Sequence, residues 1–210
     1  MADIYCYFSE DAHSNTYLIV DPETKEAAVI DPSHMPSVFD FDFSSIKLKY
    51  ILLTHGHFDH MFKLEKYRRD FGAKVCVHQY DEELLYDGEK NCSAFFMYDE
   101  MIMPKADVTF TEEDKLYLGS TEIGILHTPG HTPGSVCFTC GDVMFCGDTL
   151  FYGSRGRTDF WGGNDFSMKI SLERLKNIEK NYTVHCGHGQ STTLDREKKF
   201  NSYMLYNHIV

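Results

Sequence analysis

Hydrophobic positions divide the chain into two series of short strands, each followed by helical segments. Apolar runs bounded by turn residues predict strands, and apolar positions three or four residues apart predict helices. The predicted strands cover residues 4–8, 15–20, 27–30, 48–53, 74–78, 108–110, 115–118, 121–127, 135–140, 143–146 and 183–186, and the predicted helices cover 61–71, 81–86, 165–178 and 194–203. This order predicts an α/β sandwich, in which two sheets pack together and helices cover their outer faces.

Length and composition are those of one packed domain, which we place at residues 1–210. The formal net charge is −12, and the sequence contains no basic block. A nucleic-acid substrate is therefore disfavoured, because phosphate backbones are bound mainly by Lys and Arg. The expected substrate is a small molecule. Neither a secretion signal nor an apolar run of about 18 residues is present, so no membrane association is expected.

Seven cysteines are scattered through the chain, several of them inside apolar runs. Such a set is typical of buried free thiols in a reducing compartment, and it predicts a cytoplasmic protein. Cys137 and Cys140 form a C-x-x-C pattern, but they lie in a predicted strand, where residues three apart face opposite sides. We therefore interpret both as core residues.

The clearest chemical signal is the run THGHFDH at residues 54–60, which follows the predicted strand 48–53. Its imidazoles and carboxylate form a donor set that suits zinc, iron and manganese. His55 and His57 can point the same way from extended backbone, whereas Asp59 and His60 fall where the chain turns into a helix. This arrangement predicts two adjacent metal ions.

Three later segments place His or Asp in glycine-rich turns after apolar strands: HTPGHTPGS at 127–135, FCGDT at 145–149 and HCGHG at 185–189. Glycine lets the backbone bring the next side chain off a strand end, so all four segments are expected at one edge of the sandwich. Spacing alone does not distinguish His127 from His131, or His185 from His188, as ligands.

The motifs THGHFDH, TPGHTPGS, GDTLF and CGHG, in this order, resemble the metallo-β-lactamase superfamily and, within it, the glyoxalase II group of hydroxyacyl-thioester hydrolases. The resemblance covers nearly the whole chain. It implies a four-layer αββα sandwich that binds two divalent metal ions. Zinc is the expected metal, with iron and manganese as alternatives.

The resemblance also implies which residues form the site. Seven residues would bind the two metals. The first metal would be bound by His55, His57 and His131, the second by Asp59, His60 and His188, and Asp148 would be shared between them. Two adjacent metals lower the pKa of a shared water and polarise a carbonyl, so the expected reaction is hydrolysis of an acyl bond by metal-bound hydroxide.

Supporting roles are expected at three other positions, and Asp59 has a second expected role. Asp59 would also orient the nucleophile. Asp31 resembles the family's buried aspartate near the site, and an ordinary turn aspartate is the alternative. His127 and His185 are interpreted as core residues or as donors that support a ligand.

The segment GSRGRTD at 153–159 resembles the short, bacterial-type members of the glyoxalase II group, and its Arg155 and Arg157 would meet an anionic substrate. Glutathione-specific members carry tyrosines where this chain has Asp159 and Gln190. They also continue into a C-terminal helical region, whereas 22 residues follow His188 here. The resemblance implies a hydroxyacyl thioester such as S-lactoylglutathione as substrate and leaves the need for glutathione open.

Several alternatives stay open. Iron-dependent persulfide dioxygenases carry the same motifs but use two histidines and one aspartate to bind a single iron. Lactonases and nucleases belong to the same superfamily. The acidic charge disfavours a nuclease, and the open coordination expected of a water-bearing site disfavours a purely structural metal. Residues 91–105 are unusually apolar for a loop, which predicts a substrate-facing lid or a homo-oligomer contact.

Overall fold

The computed structural model describes residues 2–206, in which most strands belong to two six-stranded sheets. The first sheet contains, in this spatial order, β1 Asp3–Tyr7, β2 Thr16–Val20, β3 Glu26–Ile30, β4 Lys47–Leu52, β5 Lys74–His78 and β6 Val108–Phe110. Strands β1 to β3 are antiparallel, and β3 to β6 run parallel to one another. The parallel pairs bring the ends of β3 and β4 to the same edge.

The second sheet is mostly antiparallel. In chain order its strands are β7 Leu116–Leu118, β8 Thr121–His127, β9 Val136–Cys140, β10 Val143–Phe145, β13 Thr183–His185 and β14 Thr192–Thr193, and their spatial order is β14-β13-β10-β9-β8-β7. A separate hairpin pairs β11 Leu150–Phe151 with β12 Ser154–Arg155. Strands β10 and β13 are parallel, so the segments that follow them also emerge at one edge.

Helices flank the sheets, and the described part of the chain has five α-helices: α1 Leu64–Phe71, α2 Ser93–Phe96, α3 Asp165–Lys176, α4 Leu194–Phe200 and α5 Ser202–Leu205. Shorter 3₁₀ turns include Phe58–His60, directly before α1, and Glu82–Tyr86.

Alternation along β2 shows how the layers are held together. Leu18 points to a core shared with Leu64 and Tyr67 of α1, while Tyr17 and Ile19 point to a core shared with the second sheet. A third core packs β9, β10 and β13 against α3. Since side chains alternate between the two faces of a strand, each sheet buries both faces. The predicted αββα sandwich is therefore confirmed.

Some predicted element boundaries are wrong. The predicted helix 61–71 begins at Leu64, and the predicted helix 81–86 is a 3₁₀ turn. The predicted closing helix 194–203 is broken at Asn201, whose side chain accepts a hydrogen bond from the backbone N–H of Tyr203 and so begins a new helix. Strands β11, β12 and β14 are too short to be recognised from periodicity.

The C-x-x-C pattern is structural. Cys137 packs in the core next to α3, and Cys140 packs in the core between the two sheets, so the two thiols face opposite sides of β9 as predicted. All seven cysteines are free, and six of them are buried. Within residues 2–206, no helix is long and apolar enough to cross a membrane.

Candidate metal centre

Four loops meet where strands of both sheets end. They follow β4, β8, β10 and β13, and backbone hydrogen bonds join them. The N–H of Val136 donates to the carbonyl of Thr54 at 2.9 Å, and the N–H of Gly187 donates to the carbonyl of Gly147 at 2.7 Å. Backbone hydrogen bonds therefore join the loop after β4 to the start of β9, and the loop after β10 to the loop after β13, at the edge predicted from the glycine-rich turns.

Three histidine rings converge at this edge. The Nε2 of His55 lies 3.1 Å from Nδ1 of His57, and that Nδ1 lies 2.9 Å from Nε2 of His131. All three rings are at most 3% exposed. Burial lowers the pKa of His57 to about 3 and that of His55 well below its usual range, so both rings are neutral. Neutral nitrogens that face one another in this way offer lone pairs to a shared cation.

The orientation of His131 is fixed from behind. Its Nδ1–H donates to the backbone carbonyl of Arg157 at 2.8 Å, which leaves Nε2 free to face the other rings. A hydrogen bond of this kind, on the far nitrogen of a histidine, sets the tautomer that a metal needs.

A second group lies beside the first and contains Asp59, His60 and His188. The Nε2 of His188 lies 3.1 Å from Oδ2 of Asp59, and the Nε2 of His60 lies 3.9 Å from the same oxygen. The ligating atoms of this group, like those of the first, all lie within 4.8 Å of one another. The 3₁₀ turn Phe58–His60 carries Asp59 and His60, and the centre of the His60 ring lies 4.1 Å from that of His55, so the two groups are in contact.

Asp31 holds the second group in place. It follows β3, and its carboxylate accepts hydrogen bonds from the backbone N–H and hydroxyl of Thr54, at 2.8 and 2.7 Å, and from Nδ1–H of His60 at 2.8 Å. Asp31 adopts a left-handed conformation with φ of 49°, which is rare for a residue other than glycine and is typical of functional sites. The residue therefore positions His60 and the start of the THGHFDH loop.

Asp148 touches both groups. Its Oδ1 lies 3.3 Å from Nε2 of His60, and its Oδ2 lies 3.5 Å from Nε2 of His131 and 3.7 Å from Nε2 of His188. The Nε2 of His60 and the Oδ1 of Asp148 are buried, and neither has a hydrogen-bond partner within the described residues. Buried polar atoms are rarely left unpaired, so these two fit a pair of divalent cations with Asp148 between them.

The charges of the second group favour a cation. Burial acts to lower the pKa of His60, but the carboxylates of Asp31, Asp148 and Asp59 together raise it well above its usual range. Burial acts to raise the pKa of Asp148, yet the nearby histidines, His60 first, hold it well below its usual range. The carboxylates that raise the pKa of His60 also favour a divalent cation, which would take the place of the proton on Nε2 of that ring.

Glycine is required at position 187. A Cβ there would lie 2.1 Å from Oδ1 of Asp148 and 2.8 Å from the His60 ring. Any larger side chain would displace two of the predicted ligands, which explains the glycine between Cys186 and His188.

The buried carboxylate of Asp81 connects the two histidine loops. This role was not predicted from the sequence. The carboxylate accepts hydrogen bonds from the backbone N–H of Gly56 at 3.0 Å, the hydroxyl of Thr132 at 2.6 Å and the backbone N–H of Gly134 at 2.6 Å. Burial raises the pKa of Asp81 to about 6, although all three hydrogen bonds act to lower it. Asp81 thereby ties the loop of His55 and His57 to the loop of His131.

A cavity of about 590 Å³ opens onto the centre at His57 and Asp59, and the seven predicted metal ligands are called its floor below. Its wall is mostly apolar and is formed by Phe58, Phe62, Cys92, Phe96, Met97, Tyr98 and Phe160. Four of these residues belong to the segment 91–105, which therefore lines the cavity, and its role as a substrate-facing lid stays a prediction. Its alternative role as a homo-oligomer contact stays a prediction.

The two candidate arginines are in different places. Arg157 lines the cavity, where its guanidinium pairs with both carboxylate oxygens of Asp159 and lies 3.9 Å from the centre of the Phe160 ring. Arg155 lines a different cavity, pairs with Asp165 and stacks on Tyr203 at 5.0 Å. Strand β12 ends at Arg155 and the two arginines line different cavities, so we leave Arg155 out of the proposed substrate site.

His127 and His185, the two alternative ligand candidates, are used for packing. His127 donates from Nε2 to the carbonyl of Pro133 at 2.9 Å and stacks on His78 at 4.2 Å. His185 contacts the hydroxyl of Ser191 and stacks on Tyr17. Neither belongs to a group of possible metal ligands within residues 2–206.

The chain was compared with known proteins. The family model of the metallo-beta-lactamase superfamily matches residues 10–188. The chain is 34% identical over 197 residues to the hydroxyacylglutathione hydrolase GloC of Haemophilus influenzae, which covers 90% of this chain and 92% of GloC.

Among solved structures, the BLEG-1 B3 metallo-beta-lactamase superposes with a TM-score of 0.86 at 30% identity, over 96% of this chain and 99% of that one. TTHA1623, solved in a di-iron-bound form, gives a TM-score of 0.78 at 30% identity, over 95% of this chain and 99% of that one. The chain belongs to the metallo-β-lactamase superfamily.

Proposed function

We propose that this protein is a metal-dependent hydrolase that cleaves hydroxyacyl thioesters such as S-lactoylglutathione. The observation that carries the proposal is the pair of ligand groups joined by Asp148 at the floor of an open cavity. The similarity to a hydroxyacylglutathione hydrolase supports the thioester.

Two divalent ions bound there would supply a hydroxide nucleophile and stabilise the negative charge that develops on the acyl oxygen. We propose zinc for both, bound by His55, His57 and His131, by Asp59, His60 and His188, and by Asp148 between the groups. The donor set also accepts iron and manganese, and a relative has been solved with two irons. Elemental analysis of the purified protein distinguishes these metals.

Asp59 is proposed to orient the nucleophile. It lines the cavity, and its pKa is lowered: burial acts to raise it, but His60 and His188 outweigh that effect. An ionised carboxylate at this position accepts a hydrogen bond from the attacking oxygen and aims it at the acyl carbon.

The thiolate leaving group needs no proton donor in this site. A thiol has an ordinary pKa of about 8.5, so a thiolate departs without being protonated, unlike an amine. The apolar wall formed by Phe58, Phe96 and Phe160 would hold the substrate next to the two metals. Arg157 is proposed to contact an anionic group at the cavity mouth.

The buried free thiols support a cytoplasmic location, which we propose together with the activity. A homo-oligomeric state remains a proposal as well, with residues 91–105 as its candidate contact.

A panel of substrates tests the proposed function. We expect the protein to hydrolyse S-lactoylglutathione, to lose that activity on chelation and to regain it when metal is restored. Oxygen consumption with a glutathione persulfide would identify the dioxygenase, and turnover of a lactone with no turnover of the thioester would identify a lactonase. Either result would overturn the proposal.

A further inference from the structure

A third group of possible metal ligands lies apart from the seven residues described above. Asp11, His13 and His34 place their ligating atoms within 4.8 Å of one another. The Nδ1 of His13 lies 2.9 Å from Oδ1 of Asp11, and the Nε2 of His34 lies 3.8 Å from the same oxygen. The hydroxyl of Ser9 lies 2.8 Å from that oxygen and 3.3 Å from Nε2 of His34, so a fourth donor atom already faces the group.

The backbone on both sides of this group is fixed. Asp11 and His13 lie in the loop between β1 and β2, where the N–H of Ser9 donates to the side chain of Asn15 at 2.8 Å. His34 follows β3, and its ring packs on Tyr7 with 4.7 Å between ring centres. The group therefore does not depend on a single flexible side chain to bring its members together.

The ring of His13 packs on Phe62, with 4.5 Å between ring centres. Both residues also line the cavity above the metal centre. An ion held by His13 would therefore lie at the rim of that cavity.

The protonation states suit a metal. Hydrogen bonds from the backbone N–H of His13 and the hydroxyl of Ser9 hold the pKa of Asp11 well below its usual range, so the carboxylate is charged. Burial lowers the pKa of His34, which favours the neutral ring. Two imidazoles and one carboxylate form a donor set that zinc accepts readily, with a water or hydroxyl as fourth ligand.

We propose that Asp11, His13 and His34 form an additional zinc site, which links the loop between β1 and β2 to the segment after β3 at the rim of the cavity. The site is separate from the two-metal centre and does not depend on the reaction catalysed there.

Zinc binding to the full-length protein with its resident metals tests this proposal. Equilibrium dialysis is expected to show one more zinc equivalent in the wild type than in His34→Gln, His13→Gln or Asp11→Asn. Losing a partner that only supports a ligand typically costs 10–100-fold in metal affinity, so losing a ligand is expected to weaken binding at least about tenfold. Glu10→Gln is the charge-matched control, because it removes a carboxylate from the same loop and is expected to keep the additional zinc.

Hydrogen exchange locates the ion. Zinc is expected to slow exchange of the amides at residues 9–15 in the wild type and in Glu10→Gln, but not in His13→Gln. His13 lies on a loop, so its substitution leaves the sheets intact and serves as the decisive variant if His34→Gln fails to fold. Equal zinc binding in the wild type and in His13→Gln, or no change in exchange at residues 9–15, would overturn the proposal.

Discussion

The floor and the wall of the main cavity are built in different ways. On the floor, His55, His57 and His60 are at most 3% exposed, and His60 and His131 are fixed by the hydrogen bonds that they donate to acceptors outside the ligand set. On the wall, Phe96 is 61% exposed and Tyr98 is fully exposed. The fold therefore preorganises the floor, whereas the positions of the wall residues depend on a few ring contacts.

This difference separates the chemistry from the choice of substrate. Loops at the ends of paired strands hold the floor, so a change there is expected to remove metal and activity together. The wall comes from the segment 91–105 and from Phe160, so a change there is expected to alter substrate affinity while the reaction itself continues.

The largest effect is expected from Asp148→Ala. The substitution removes the carboxylate that touches both ligand groups, so at least one metal should be lost. Because a catalytic metal supplies several kcal/mol of transition-state stabilisation, kcat is expected to fall about 10³-fold or more. Metal content and kcat are measured on the same sample. Full activity with one metal or none would contradict the role of the floor.

Asp31→Asn is expected to weaken metal binding about 10- to 100-fold while all seven ligands remain. An amide cannot accept all three hydrogen bonds that Thr54 and His60 donate to the carboxylate, so His60 loses its fixed orientation. Competition with a chelator measures the change. Thr54→Ser keeps both donors to Asp31 and serves as the matched control, which should bind metal like the wild type.

Asp81→Asn tests whether the two histidine loops must be tied together. The amide nitrogen would face one of three donors, and leaving a buried donor unpaired costs about 1–3 kcal/mol of stability. Denaturant unfolding measures this loss. Thr132→Val is a smaller change, because it removes one of the three donors, and its unfolding is compared with that of Asp81→Asn. An Asp81→Asn protein as stable as the wild type would show that Asp81 does not hold the loops.

Phe96→Ala tests the wall. Phe96 packs between Phe58 and Phe160, with ring centres 6.0 and 5.9 Å apart. The substitution also removes apolar surface that a bound substrate would cover, worth about 1 kcal/mol, so KM is expected to rise about fivefold while kcat and metal content stay unchanged. Phe95→Ala is the matched control, because Phe95 is 69% exposed and does not line the cavity. Equal effects of the two substitutions would argue against the wall as a substrate surface.

The smallest effect is expected from Arg157→Lys. The guanidinium is already paired with Asp159 and stacked on Phe160, and exposed ion pairs are worth about 0–1 kcal/mol. KM for S-lactoylglutathione should therefore rise less than about fivefold. The carbonyl that supports His131 is retained because it belongs to the backbone. A much larger increase would show that Arg157 is released from Asp159 to bind the substrate.

The residues of the floor could be predicted from the sequence because they are concentrated in short motifs at strand ends. The run THGHFDH contains four of the seven residues, and the glycine-rich turns identify the segments that bring the other three. The choice between His127 and His131 required the family resemblance, since it depends on how residues 128–134 turn. In the structure, His127 is held away by Pro133 and His78.

Asp81 and the separation of the two arginines could not be predicted. Asp81 begins an acidic run that looks like an exposed helix start, and only tertiary packing buries it beneath the histidine loops. Arg155 and Arg157 are two apart, a spacing that places both on one face of a strand, but β12 ends at Arg155. The wall gave no periodic signal because it is formed by irregular segments that are distant in sequence.

The most direct test of the two-metal account is an activity titration with Zn²⁺ of chelated Asp11→Asn protein, which lacks the proposed additional zinc site, using S-lactoylglutathione as substrate. The account predicts that hydrolysis is absent without metal and reaches its plateau at two equivalents per chain. A plateau at one equivalent, or hydrolysis that persists in the fully chelated protein, would contradict it.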